Sequence, residues 1–349
     1  MSIQTVLGRI SREELGIVTT HEHALIDLSA FFTSHPVPGV DDPAHTPVSI
    51  ELLGELNRDP YALKDNLIMM DYALQCREVM RFRQAGGATF VDATTVGIGR
   101  NVKKLRQLSI DTGLHVVAGT GFYVGATHSE ALQAMNAEEI ADILCGELTE
   151  GIDGTGIKAG IIGEIGISEE FDESERKVLH AAAIAHSRTG APIEVHINPW
   201  TVHGIEAAEL LLNDGVEPNR ICICHIDVIN CEPYIRQLLN MGVYIEFDNF
   251  GKEYYVDARV RNSGYGCFVR DSERVALIKR LLEAGYGDQL LLSCDVCLKT
   301  LLRAYGGWGY DHVLVNIVPM MQEVGVDVEA IARLLQHNPA DFLDNPSIQ

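Results

Sequence analysis

Gly16-Ile17-Val18-Thr19-Thr20-His21-Glu22-His23 is a short apolar and β-branched run that ends in two histidines flanking a glutamate. Its composition predicts a strand. The turn after a first strand separates two parallel-sheet architectures. An open, doubly wound sheet calls for a glycine-rich phosphate turn at that point. Here the turn is His-Glu-His, which favours a closed barrel whose chemistry sits at the C-terminal ends of its strands.

Seven further runs repeat the pattern, at 88–92, 115–120, 160–163, 192–195, 221–224, 243–247 and 290–293. They are rich in Val, Ile, Leu and Phe with little alternation, as expected of strands covered on both faces. Helix-period segments follow most of them, at 101–112, 137–150, 173–188, 205–213, 232–241 and 271–284. Several of these stop at a glycine: Gly113, Gly190, Gly215, Gly242 and Gly285. Glycine is the usual residue just past a helix end. Eight alternations of strand and helix predict an α/β fold, a (β/α)8 TIM barrel in a single domain over 1–349. Residues 3–15 read as a small N-terminal hairpin. Residues 24–57, punctuated by Pro36, Pro38, Pro43 and Pro47, read mainly as a long loop over the active face.

Composition excludes several functions. The chain has 27 Lys plus Arg against 49 Asp plus Glu, a net charge of −22. That balance argues against a nucleic-acid backbone or an anionic membrane as partner. No stretch approaches the ~20 apolar residues of a membrane span. The start, MSIQTVLGRISREEL, lacks the basic-then-apolar pattern of a signal peptide. Eight scattered cysteines fit buried free thiols in a reducing cytoplasm, with Cys222/Cys224 and Cys294/Cys297 as structural pairs.

The strong metal-binding side chains fall at like places. Run one ends in His21 and His23, two apart and so on one face of an extended chain. Run four leads into Glu164, run five into His196, run six into His225 and run eight into Asp295. Any one of these alone reads as an ordinary core residue or helix cap. Together, six donors at five strand ends predict a metal centre. They exceed one open tetrahedral site and suffice for two divalent ions, with zinc favoured and manganese or cobalt compatible. His21, His23 and Asp295 would hold one ion, His196 and His225 the other, with Glu164 bridging. A hydroxide between the ions would be the nucleophile, and Asp295 would accept its proton.

The sequence resembles the phosphotriesterase-related branch of the amidohydrolase superfamily. The matching stretches are Thr19-Thr20-His21-Glu22-His23, Gly119-Thr120-Gly121-Phe122-Tyr123, Lys158 through Gly166, Val195-His196, His225, Phe247-Asp248 with Gly251, Asp295, Tyr305-Gly306-Gly307 with Gly309-Tyr310, and His337-Asn338-Pro339. They span nearly the whole chain. The resemblance implies a binuclear barrel hydrolase with the same six ligands. One departure is that organophosphate-degrading members and related lactonases bridge their metals with a carboxylated lysine, where this chain has Glu164. Lys158, six residues earlier, would lie near the opposite end of the barrel.

Tyr123 matches an aromatic that lies beside the bridging hydroxide in lactonase relatives, and it is a catalytic candidate. Asp248 and Asn249 read as supports. Lys252, Tyr254, Tyr255, Arg259, Arg261 and Arg270 form a cationic, aromatic stretch after run seven, suited to an anionic group on a small-molecule substrate. Trp200 and Trp308 are candidates for an apolar wall. Three functions fit. The first is hydrolysis of a carboxylic ester or lactone, with phosphoester cleavage as a side activity. The second, implied by the resemblance, is an amidase for small N-acyl amino or sulfonic acids of the N-acetyltaurine kind. The third, a non-catalytic small-molecule-binding barrel, expects a missing ligand, and none is missing. A homodimer is compatible with a barrel enzyme.

Overall fold

A computed structural model describes residues 2–255 and 267–345. Eight strands pair in parallel in chain order: β1 (Val18–Glu22), β2 (Thr89–Asp92), β3 (His115–Thr120), β4 (Ile161–Ile167), β5 (Ile193–Ile197), β6 (Ile221–Ile223), β7 (Tyr244–Phe247) and β8 (Leu290–Leu292). β8 returns to β1, where the Asp295 N–H donates to the His21 carbonyl at 3.2 Å and the Thr20 hydroxyl to the Leu292 carbonyl at 3.3 Å. The barrel is the (β/α)8 architecture expected from the runs.

Helices α1 (Tyr72–Gln84), α2 (Val102–Thr112), α3 (Ala137–Thr149), α4 (Glu173–Thr189), α5 (His203–Asn213), α6 (Glu232–Asn240) and α7 (Asp271–Glu283) lie between successive strands. Local chemistry starts and stops them. Asn136 and Asp172 cap α3 and α4 in reciprocal boxes with Glu139 and Glu175. Gly113 and Gly190, at φ of 70° and 72°, end α2 and α4 in the left-handed conformation. After β8 the chain closes with short helices, among them Val318–Glu323 and Asn338–Leu343.

Three apolar clusters form among the described residues, the smallest around Val37, Val48, Leu56, Ala62 and Leu63 after β1. Of the two larger ones, one lies between sheet and helices. The other fills the lower barrel, where Val18, Val91, Val117, Ile161 and Leu291 meet Ile3 of the N-terminal hairpin and Phe342. That hairpin, Ile3–Thr5 with Gly8–Ile10, is the one expected. The stretch after β1 carries more structure than a loop. Ile26–Asp27 pairs antiparallel with Ile68–Met69, and Leu53–Leu56 forms one helical turn. β4 is also longer than its apolar run. It continues through Glu164 with a register shift against β5 between Ile162 and Ile165. Among the described residues no helix is long and apolar enough to cross a membrane.

Candidate metal centre and its cavity

At the C-terminal end of the barrel the six expected donors converge. His21 and His23 share one face of β1, and each turns Nε2 towards Glu164. The distances are 3.5 Å from His21 to Oε2 and 3.4 Å from His23 to Oε1. From the other side, His196 Nδ1 lies 3.3 Å and His225 Nε2 3.8 Å from Glu164 Oε2. Asp295 Oδ1 lies 3.2 Å from His23 Nε2 and 3.9 Å from His21 Nε2. Donors bonded at about 2.1 Å to one tetrahedral ion stand roughly 3.4 Å apart, so these separations suit shared cations. Glu164 faces His23 with one oxygen and His21, His196 and His225 with the other, so its carboxylate lies among all four imidazoles.

The donor set fits a metal centre on a second ground. His21, Glu164 and His225 are buried, yet His21 Nε2 and Glu164 Oε2 have no hydrogen-bond partner. Orphaned donors of this kind are rare in protein interiors unless something binds them. His21, His23 and Asp295 form one group of mutually close donor atoms, and His21, Glu164 and His225 another. All ligands are nitrogen or carboxylate oxygen, which suits zinc, manganese or cobalt.

Charge in the ring is tightly coupled. Burial opposes ionisation of Glu164, but His21 and its neighbours outweigh it and hold the carboxyl well below its usual range. Burial likewise opposes a charged His225, yet Asp248 and Glu164 lift it to about 10. Divalent cations binding here would displace such imidazole protons. His196 behaves differently, because burial outweighs its partners and lowers its pKa.

A second layer holds the ligands from behind. His21 Nδ1 lies 3.3 Å from Glu194 Oε1, His23 Nδ1 2.9 Å from the Thr94 hydroxyl, and His225 Nδ1 3.0 Å from Asp248 Oδ1. Such partners fix ring orientation in metal sites. Asp248 also accepts from the His225 N–H, and Asn249 bonds Asp248 in turn, in keeping with a supporting role. Two ligands, His225 at φ 61° and Asp295 at φ 44°, sit in the left-handed region. Non-glycine residues there are strained and persist only when their surroundings hold them.

Beneath the ring lies a polar layer inside the barrel. Glu246 accepts from the hydroxyls of Thr20 and Ser293, and the thiols of Cys222 and Cys224 face its other oxygen. Burial pushes Glu246 well above its ordinary pKa. No disulfide joins any of the described cysteines. Neither Glu194 nor Glu246 emerges from the sequence reading. Each is an acid inside an apolar strand covered on both faces, and that mismatch is the signal that could have found them.

Above the ring opens a cavity of about 210 Å³. Leu28, Phe31, Pro60 and Tyr61 from the β1 connection form one wall. Trp200, Tyr254 and Phe268 form another, and Tyr123, His196 and Lys252 lie between them. The Tyr123 hydroxyl is 3.3 Å from both ring nitrogens of His196. Gly166 allows this approach, since a Cβ there would lie 2.3 Å from the Tyr123 backbone. Lys252 is buried and donates to Asp295 Oδ2. Burial disfavours its charge, but Asp295 holds it well above its usual pKa.

Other substrate-binding candidates lie elsewhere. Tyr255 is 71% exposed, with its N–H on the Asn57 carbonyl and Arg58 over its ring. Trp308 stacks on His312 behind Gly251 and is 53% exposed. Arg270 caps α7. None of the three lines the cavity. Arg259 and Arg261 lie outside the described residues. Lys158 precedes β4 at its N-terminal end, away from the ring, as expected.

A model of the phosphotriesterase family matches residues 1–343. Among curated proteins, the N-acetyltaurine hydrolase of Danio rerio is 37% identical over 348 residues, covering 98% of this chain and 97% of that protein. Among solved structures, a resiniferatoxin-binding protein from Rhodobacter sphaeroides superposes with a TM-score of 0.94 at 36% identity. It covers 100% of this chain and 96% of the other. A lactonase from Deinococcus radiodurans superposes with a TM-score of 0.76 at 29% identity, covering 98% and 100% of the two chains.

Proposed function

This chain belongs to the phosphotriesterase family and is a metal-dependent hydrolase; we propose that the bond it cleaves is a carboxylic amide, in a small N-acyl amino or sulfonic acid. The observation that carries the reading is the convergence of His21, His23, Glu164, His196, His225 and Asp295 below a cavity containing one buried ammonium. These six residues would hold two divalent ions, most readily zinc, which when bound would supply Lewis acidity and acidify water.

The side chains do the rest. Asp295 would be one of the residues holding the ions, and its carboxylate takes the proton of the attacking water. An amide nitrogen leaves only after protonation, and Asp295 Oδ2 hands that proton to it, with Lys252 beside the same oxygen. Tyr123, against His196, orients the acyl carbonyl. Phe31, Tyr61, Trp200 and Phe268 exclude water and bind the apolar part of the substrate. Lys252 offers its remaining N–H groups to an anionic tail. Among the described residues it is the only Lys or Arg lining the cavity. The relatives named N-acetyltaurine hydrolases, similar over almost their full length, support the same substrate class.

A second reading, a carboxylic ester or lactone, is favoured by the placement of Tyr123 and by similarity to a lactonase. Turnover of the metal-loaded protein on matched panels separates the two. The amide reading expects kcat/KM on N-acyl amino and sulfonic acids to exceed that on lactones and esters by about tenfold or more. Activity confined to lactones contradicts it, and activity on neither panel contradicts both readings.

A further inference from the structure

Between His21 in β1 and His23 just past its end stands Glu22, fully buried. Its carboxylate reaches across to the far end of the chain. Oε1 accepts from the Cys294 N–H at 3.0 Å and Oε2 from the Val296 N–H at 2.9 Å, while the Thr19 hydroxyl donates to Oε1 at 2.7 Å. The residue between those amides, Asp295, sends its own N–H to the His21 carbonyl at 3.2 Å. Three consecutive N–H groups beyond β8 are therefore all received by the end of β1.

We propose that Glu22 is the positioning residue for the Asp295 ligand, strapping the peptide on either side of it so that its carboxylate stays aimed at the metal ring. The backbone needs such a device. β8 ends at Leu292, so the segment has left the regular ladder, and Asp295 itself is left-handed at φ 44°. The other left-handed ligand, His225, is held comparably, by Asp248 on its own N–H. Asp248 also faces the His225 ring, so its two effects are mixed. Glu22 makes no hydrogen bond to the Asp295 side chain and acts through backbone alone. The same strap links β1 to the chain that continues into Cys297 and Leu298, both in the cavity wall.

The inference rests on the metal-centre reading, and its test separates the two. Apo-protein is titrated with Co2+, and kcat and KM are measured on the best N-acyl or lactone substrate. Glu22→Gln keeps the size of the side chain but turns an NH2 towards one of the two amides, breaking one strap. Glu22→Ala removes both. The expected result for Glu22→Gln is a Co2+ affinity weaker by about 10- to 100-fold, with kcat lowered comparably and KM nearly unchanged. Asp295→Asn should lose more, and adding Glu22→Gln to it should cost little further, because the strap has no ligand left to aim. Should Glu22→Ala fail to fold, the near-isosteric Glu22→Gln and the double variant carry the test alone. Wild-type Co2+ affinity and kcat in Glu22→Gln would overturn the proposal. So would a Glu22→Gln loss that adds in full to that of Asp295→Asn. A wild-type protein that binds no Co2+ would overturn the metal-centre reading itself.

Discussion

Three of the four histidines in the metal ring have a polar partner behind them, whereas the aromatic residues of the wall above meet one another edge to face. His21 has Glu194, His23 has Thr94, and His225 has Asp248. Trp200 and Tyr254 instead lean on Phe268, with ring centroids 5.4 Å and 5.2 Å apart, and Phe31 leans on Tyr123 at 5.9 Å. The first region sits on strand ends inside a closed sheet, the second on connections that a barrel varies freely. The contrast divides the labour. On the proposed function, the ring would fix which reaction is run and the wall would select what enters.

Substitutions should rank by that division. His21→Asn and Asp295→Asn each remove a ligand while adding little volume change. Turnover should fall by about 10³-fold or more, with cooperative thermal unfolding retained. Near-normal rates in either variant would break the distinction at its root. Trp200→Ala and Phe268→Ala should raise KM by about tenfold with kcat little changed, because the wall binds ground state and transition state alike. A fall in kcat at constant KM would instead give the wall a part in the chemistry. Trp308→Ala and Tyr255→Ala, outside the cavity, should leave both constants within about twofold, as for ordinary surface positions. A large change in kcat/KM would restore them to the substrate site.

Much of this was legible in the chain. The eight apolar runs lie where the strands form, and the six donors follow from their strand-end positions. They were readable because a parallel barrel presents one end of every strand to the same place. The apolar run expected for strand four stops at 163, whereas β4 continues through Glu164 to Ile167 with a shifted register, which no apolar pattern encodes. α1 lies in a stretch with Arg77, Arg81 and Arg83 on its outer face, where polar residues dilute the helical period. Glu194 and Glu246 lie inside their apolar runs rather than at the ends, and Glu22 stands between two stronger ligands, although a carboxylate within a doubly covered strand demands a partner. Tyr255, Trp308 and Arg270 show the converse. Their residue types suit a binding loop, but Tyr255 is tied through its N–H to the distant Asn57, Trp308 stacks on the nearby His312, and Arg270 is the N-cap residue of α7.

The central claim is that six dispersed side chains close around two cations. It is tested most directly by a crystal structure of the zinc-loaded protein, with anomalous data collected on either side of the metal edge. The account predicts two anomalous peaks per chain, one within about 2.3 Å of His21, His23 and Asp295, the other within the same distance of His196 and His225, and Glu164 reaching both. A single peak, or peaks away from these residues in fully folded protein, would contradict it.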